Sequence, residues 1–297
     1  MTSPTRPLSN KVVLVTGASR GLGKGIALQL GEAGCTVYIT GRTLDPTDAP
    51  RRPGSLRATA EEINARGGKA VPVQCDHSKD EDIARVFEMI ASDEGRLDLL
   101  VNNAYSAVNA LVTGFGKPFW EIPETMWDEV NNVGLRNHYI CSAKAAQIMT
   151  KKKSGLIVNV SSLGGKVYLF TPAYGIGKVA CDRMAADCGL ELKSHNVAFV
   201  SLWPGAVKTE LIMQGAEARK SGKVEAPTGE TAKIGANAHI FEAFGNGESP
   251  EFSGKCIVAL MQDKGLMEKT GKVLTTAALG KEFGLKDIDG RTIEEQT

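Results

Sequence analysis

A short run rich in β-branched residues, Lys11-Val-Val-Leu-Val-Thr16, passes directly into Gly17-Ala-Ser-Arg-Gly-Leu-Gly-Lys-Gly25 and then into Ile26-Ala-Leu-Gln-Leu30. The valine-rich run reads as a buried strand, and the periodic segment ending near Gly34 reads as a helix. A strand, a glycine turn and a helix start leave few folds open. The turn lets backbone approach an anion closely, while the helix N-terminus aims free N–H groups and the positive end of its dipole at the same point. A strand that feeds a helix in this way opens a parallel βαβ unit. The glycines fall at 17, 21 and 23, a G-x₃-G-x-G spacing rather than the commoner G-x-G-x-x-G. The ligand that this cradle predicts is the diphosphate of a dinucleotide.

The rest of the chain keeps the alternation. Strands are expected at 36–40, 70–74, 97–102, 156–160, 198–203 and 271–275, and helices near 55–66, 80–93, 125–150, 173–195 and 251–261. That pattern is an α/β fold with a parallel sheet. At 297 residues, 42% of them hydrophobic, the chain can bury one large core. Its net charge of +1 gives no electrostatic footprint for nucleic acid. The six cysteines and four histidines show no metal-ligand spacing, so no metal is expected. No run suits a transmembrane segment or a signal peptide. A cytoplasmic protein is expected, with association at a membrane surface left open. Three stretches interrupt the alternation. Residues 43–54 are Pro-rich and read as an exposed loop. Residues 105–124 read as a long irregular connection, whose aromatic residues favour a packed wall. Residues 210–250 are polar and Gly-rich, and read as a lid over a substrate or as disorder.

Chemistry concentrates between Leu156 and Lys178. Ser161 and Ser162 end a strand, where α/β proteins present side chains to ligands. Tyr174 and Lys178, four apart at a helix start, share one helical face. An ammonium beside a phenol favours the phenolate, so Tyr174 is expected to exchange a proton near neutrality while Ser162 holds the oxygen that receives it. An exposed tyrosine and a solvated lysine would have the same spacing; the adjoining serine strand sets this pair apart. The second strand ends in Gly41-Arg42, where an acidic residue would accept the ribose hydroxyls of NAD. Arg42, with Arg20 from the glycine turn, offers guanidinium to a 2′-phosphate instead, which favours NADP(H) over NAD(H). Asp76 and Asn103 stand at or just past strand ends on the adenosine side.

These pieces are TGASRGLG (16–23), Asp76, NNA (102–104), VSS (160–162), YGIGK (174–178) and PGAVKT (204–209). In this order they resemble the short-chain dehydrogenase/reductase family over nearly the whole chain. The resemblance implies a single doubly wound Rossmann domain over residues 1–297, with a seven-stranded parallel sheet, helices on both faces and a substrate lid at 210–250. It implies hydride transfer between NADP(H) and a carbonyl carbon. By motif position, Tyr174 is the acid/base, Ser162 polarises the substrate oxygen, and Lys178 binds the nicotinamide ribose and assists the tyrosine. Gly17, Ser19, Gly21, Leu22 and Gly23 hold the phosphates, and Pro204, Val207 and Thr209 lie on the nicotinamide side. The substrate implied is a lipophilic ketone or aldehyde, steroid-like or xenobiotic-like, taken by a homo-oligomer (dimer or tetramer). Two alternatives stand beside it: an alcohol dehydrogenase running in reverse with NADP or NAD, and a nucleotide-binding sensor with little turnover.

The match departs from the family pattern at three places. The serine-to-tyrosine spacing is one residue short if Ser162 is catalytic. Ser161 would restore it, yet Ser-Ser-x-x-Gly ending at Gly165 fits Ser162 better. Tyr105 follows NNA where the family has glycine. Gly134, seven residues after Trp127, stands where the family places an asparagine that holds a proton-relay water, and Asn131 and Asn132 are rotated off that face. Glycine at 134, inside the helix expected at 125–150, implies either close packing by another group or a locally opened helix. The open reading, with a water still bridging Lys178 to solvent, is favoured because Ser, Tyr and Lys are complete.

Overall fold

The computed structural model describes residues 6–48, 54–221 and 229–295. In chain order the elements are β1 (Val12–Thr16), α1 (Gly21–Glu32), β2 (Thr36–Gly41), α2 (Leu56–Ala65), β3 (Lys69–Gln74), α3 (Asp80–Asp93), β4 (Leu99–Asn102) and α4 (Val108–Gly114). There follow α5 (Met126–Asn131), α6 (Asn137–Lys152), β5 (Gly155–Val160), α7 (Pro172–Leu192), β6 (Val197–Trp203), α8 (Glu210–Lys220) and α9 (Ile240–Gly245). The chain closes with α10 (Phe252–Gln262), α11 (Leu266–Lys269), β7 (Val273–Thr275) and α12 (Thr276–Phe283). The strands form one parallel sheet in the order β3-β2-β1-β4-β5-β6-β7. The order reverses between β1 and β4, so a crevice opens beyond their carboxyl ends, where such sheets bind ligands.

Fully buried strands explain the near-continuous apolar runs. Val13, Val15, Leu99, Val101 and Val158 meet α1 and α10 on one face. Leu14, Leu100, Ile157 and Phe199 meet α3, α6 and α7 on the other. Pro72 sits in β3, at the sheet edge, where a missing N–H costs no ladder bond to a further strand. Among the described residues no helix is long and apolar enough to cross a membrane.

Three sequence expectations need correction. The segment 105–124 is not wholly irregular, because it contains α4 and a short 3₁₀ turn at Phe119–Glu121. Ala107, Ala110 and Leu111 supply its packing. Phe119 and Trp120 stack edge-to-face on each other and stay exposed. Residues 210–250 are largely helical where described, in α8, α9 and two 3₁₀ turns, while 222–228 lie outside the described residues.

The third correction concerns the helix expected at 125–150, which is broken. Between α5 and α6 the backbone makes a π-type turn at Asn132–Arg136, where Gly134 has φ 149° and ψ −20°. That φ lies outside the range of ordinary L-residues. The Gly134 N–H leaves the helical pattern and donates to Asn137 Oδ1 at 2.7 Å. Nor is the position open. A Cβ on Gly134 would stand 2.6 and 2.8 Å from Cδ2 and Cε2 of Tyr105. Gly134→Asn should therefore destabilise the protein by about 1–3 kcal/mol through overpacking, with backbone strain added. Chemical denaturation with a lowered midpoint and an unchanged slope would report it; a midpoint equal to the parent's would contradict the packing described here.

Candidate active site

The glycine turn between β1 and α1 is shaped by close approach. Gly17 and Gly21 have φ of 70° and 57°. A Cβ on Gly17 would lie 2.8 Å from the Ala104 Cα. One on Gly23 would strike the Asn103 amide and the Gly17 carbonyl. The Asn103 side chain donates to the carbonyls of Thr16 (2.8 Å) and Gly17 (3.1 Å), and the Thr16 hydroxyl accepts from the N–H of Asn103 and Ala104. Asn103 thus ties the end of β4 to the turn and builds the cradle. The turn already takes an oxyanion: the Gly21 N–H donates to a carboxylate oxygen of Glu210 at 2.9 Å. A diphosphate fits the same donors, at the N-terminus of a twelve-residue helix.

Ser19 is buried in the turn, and Leu22 reaches the cavity. The Arg20 guanidinium donates to Thr43 Oγ1 (3.4 Å) and the Gly54 carbonyl (3.1 Å), so it is engaged by those two residues. Arg42 is exposed at the end of β2, beside Asp76. Burial pushes the Asp76 carboxyl up, but the Ser78 N–H and hydroxyl outweigh it, helped by Arg42, and the group is held below the usual range.

The serine strand and the tyrosine helix are laced together. Thr171 caps α7 and Pro172 opens it, the combination that fixes a helix start. Tyr174 and Lys178 then lie one turn apart, each 8% exposed. The two serines differ. Ser161 is buried and its hydroxyl donates to the Lys178 carbonyl at 3.0 Å. Ser162 is partly exposed and its hydroxyl accepts from the Gly164 N–H at 2.9 Å. A Cβ on Gly164 would meet Tyr174 Cε1 at 2.5 Å and Ser162 Oγ at 3.3 Å, which puts the Tyr174 ring and the Ser162 hydroxyl close to one point beside that glycine. The Lys178 ammonium donates to the Val160 carbonyl at 3.2 Å. Tyr174 itself is held edge-on by Phe170 (5.0 Å between centroids) and Tyr105 (6.3 Å).

These groups open onto a cavity of about 340 Å³. Its far wall is apolar, with Leu169, Phe170, Ile212, Ile240 and Phe244. Pro204, Val207 and Thr209 line it from the loop after β6. Charged side chains on its lining, among the described residues, are Lys178 and the C-terminal Glu294 and Glu295. Sequence reading missed those two carboxylates, because nothing local links residue 295 to β7, where its carboxylate accepts from Thr275. It also missed Glu248, which holds the 204–209 loop by accepting from the Gly205 N–H (3.3 Å) and the Thr276 hydroxyl (2.6 Å). Burial drives the Glu248 carboxyl up to about 7 against those bonds. His138 was missed as well. Burial, with Lys178 nearby, pushes it down to about 3, so it is a neutral hydrogen-bonding group.

Fold, cradle and cleft define an NAD(P)-dependent oxidoreductase, and the short chain dehydrogenase family model matches residues 11–220: the chain belongs to that family. Its similarity to particular members runs further. It is 48% identical to the mouse and 46% identical to the human "Dehydrogenase/reductase SDR family member 1", in each case over 97% of this chain and 87% of the relative. Among solved structures it resembles a metagenomic short-chain oxidoreductase in complex with NADP, at 26% identity and TM-score 0.66, covering 91% of this chain and 97% of that one. Levodione reductase, at 17% identity and TM-score 0.72 over 94% and 100% of the two chains, shares the fold.

The Glu210 contact has a measurable consequence. A carboxylate and a diphosphate compete for the Gly21 N–H, so Glu210→Gln should tighten NADP(H) and NAD(H) alike. The expected gain is roughly threefold to tenfold, the scale of one hydrogen bond at about 0.5–1.5 kcal/mol. Cofactor fluorescence titration reads it directly, and weaker binding of either cofactor would show that Glu210 supports the cradle instead.

Proposed function

We propose that the protein is an NADPH-dependent carbonyl reductase acting on lipophilic ketones or aldehydes, steroid-like or xenobiotic-like in character. The observation that carries this reading is the convergence of Ser162, Tyr174 and Lys178 on one apolar cavity beside the glycine cradle. NADPH, when bound, supplies the hydride. Gly17, Ser19, Gly21, Leu22 and Gly23 would hold its diphosphate, with Arg42 and Arg20 toward the 2′-phosphate and Asp76 and Asn103 toward the adenosine. Pro204, Val207 and Thr209 would border the nicotinamide, and Lys178 the adjoining ribose.

Within that frame the side chains divide the work. Ser162 donates to the substrate carbonyl oxygen and fixes its orientation. Tyr174 gives its phenolic proton to that oxygen as negative charge develops, which is general acid catalysis. Lys178 supplies a fixed positive charge near the phenolate that remains. The apolar wall excludes water and favours uncharged substrates, and Glu294 and Glu295 add repulsion against acidic ones. We further propose that 210–250 acts as the lid of a single domain spanning 1–297, since Ile212, Ile240 and Phe244 reach the cavity from it. Exposed Tyr139 on α6 and Ile176, Val179 and Leu190 on α7 support a homo-oligomer built across those two helices.

NADPH oxidation against a panel of aryl ketones, ring ketones and long-chain aldehydes, beside NADPH binding by fluorescence, tests the assignment. Binding without turnover across the panel would favour a nucleotide sensor. Tyr174→Phe should retain NADPH binding and lose turnover by roughly 10²–10⁴-fold, the range for a general acid. Ser162→Ala should follow it in turnover. Ser161→Ala should chiefly lower stability, because its hydroxyl serves the Lys178 carbonyl. Reversal of the two serine results would move the substrate-binding role to Ser161.

Arg42→Ala should weaken NADPH by about 1.5–3 kcal/mol, the scale of a charge-assisted hydrogen bond. NADH, which lacks the 2′-phosphate, should be unaffected. Equal loss for both cofactors in parallel titrations would assign Arg42 to loop structure.

A further inference from the structure

Lys178 is unusually placed for an ammonium. It is 8% exposed, and the hydrogen bond it makes is to the Val160 carbonyl at 3.2 Å. Among the described residues it has no carboxylate within ion-pair distance. Burying a charge with so little compensation is costly. The titratable groups around it are Tyr105 after β4, His138 on α6, and Tyr174 and Cys181 on α7, all neutral in their ordinary forms. What does face the ammonium is the ring of Tyr105, with Nζ 5.0 Å from its centroid, nearer than the 5.6 Å to the Tyr174 ring. A cation over an aromatic face within about 6 Å is attracted by the ring quadrupole, and more strongly when desolvated.

The seat of that ring is specific. Its edge lies where a side chain on residue 134 would begin, so only glycine at 134 admits it. The break between α5 and α6 and the φ of 149° at Gly134 are the backbone's adjustment at the same point. The Tyr105 hydroxyl is buried and has no protein hydrogen-bond partner, so hydrogen bonding to the protein does not hold the residue there. Burial, with Tyr174 and Cys181 nearby, keeps that phenol well above its ordinary titration range. It therefore stays a neutral phenol, and what it turns to the ammonium is its ring face.

We propose that Tyr105 is a positioning residue whose ring face holds the Lys178 ammonium beside Tyr174, in a seat that Gly134 leaves free. The inference rests on the reading of Tyr174 and Lys178 given above. Two residues far apart in sequence share one role, in which Tyr105 supplies the surface and Gly134 the room.

The test compares Tyr105→Phe, Tyr105→Leu and a series of phenylalanines carrying one, two or three ring fluorines at position 105. Fluorination withdraws charge from the ring face at nearly constant shape, so it spares folding even if Tyr105→Leu does not fold. Two quantities are read: turnover on the best ketone of the panel, and ionisation of the Tyr174 phenol. The latter is the phenolate absorbance difference between each variant and the same variant carrying Tyr174→Phe. Tyr105→Phe should keep both. Tyr105→Leu should lower turnover by roughly threefold to thirtyfold, the range of a desolvated cation–π contact, and move the Tyr174 ionisation midpoint toward alkaline pH. Each added fluorine should move both in the same direction. A fluorinated series indistinguishable from Tyr105→Phe, or a Tyr105→Leu protein with unchanged midpoint and turnover, overturns the proposal. So does a Tyr105→Phe protein as impaired as Tyr105→Leu, because it would assign the effect to the hydroxyl. A Tyr174→Phe protein that still turns over would overturn the site reading itself, whereas an inactive one beside a flat series overturns this inference alone.

Discussion

The site depends on the bonds that lace β5 to α7. Three groups on the strand meet three on the helix: Asn159 Nδ2 donates to the Cys181 carbonyl (3.3 Å), the Ser161 hydroxyl to the Lys178 carbonyl (3.0 Å), and Lys178 Nζ to the Val160 carbonyl (3.2 Å). Side chains alternate along a strand, so Asn159 and Ser161 point to the same face. They fix the height of the helix against the sheet to within a fraction of a turn. Ser162 then emerges at the strand end level with Tyr174. A helix held by apolar contacts alone could settle at another height, since such contacts have no direction. Asn102 extends the same system into β4 and α6, donating to Asn159 Oδ1 and Ser142 Oγ.

The cofactor cradle is built by a comparable economy. Thr16 and Asn103 bind the ends of β1 and β4 at the point where the sheet reverses direction. Gly17 and Gly23 are there because Ala104 and Asn103 stand where their side chains would be, and Gly21 because its φ is 57°. Gly21 presents an N–H that takes the Glu210 carboxylate in this structure. The same carboxylate begins α8, whose Ile212 lines the cavity, so the turn and that wall are joined by one hydrogen bond that an anionic ligand would contest.

Much of this was legible from local pattern. Short apolar, β-branched runs gave strands whose described limits lie within two residues of expectation, and the central ones were plainest because a strand buried on both faces must be apolar throughout. Tyr174 and Lys178 could be paired from spacing because both lie on one helix, whose geometry is fixed. The break at Gly134 was not legible. Glycine in a helix interior is tolerated at a modest cost, so the residue alone cannot say whether the helix continues. Tyr105 decides it, from 29 positions away, by occupying the space. Both residues stood out as departures from the family pattern, yet only their contact makes them one feature.

The sequence by itself determined the order of strands and helices, the glycine turn as an anion site and the side chains able to move a proton, since each follows from short-range geometry. Tertiary structure set the two cavity-lining serines apart, because the Ser161 hydroxyl donates to the Lys178 carbonyl while the Ser162 hydroxyl accepts from the Gly164 N–H. It decided that Asn103 builds the cradle with its amide, and that residues 293–295 return to the cavity. Those outcomes turn on atoms brought together from distant parts of the chain. Hydrogen-bond donors choose among acceptors only once packing has set which are within about 3 Å, and no local pattern encodes that choice.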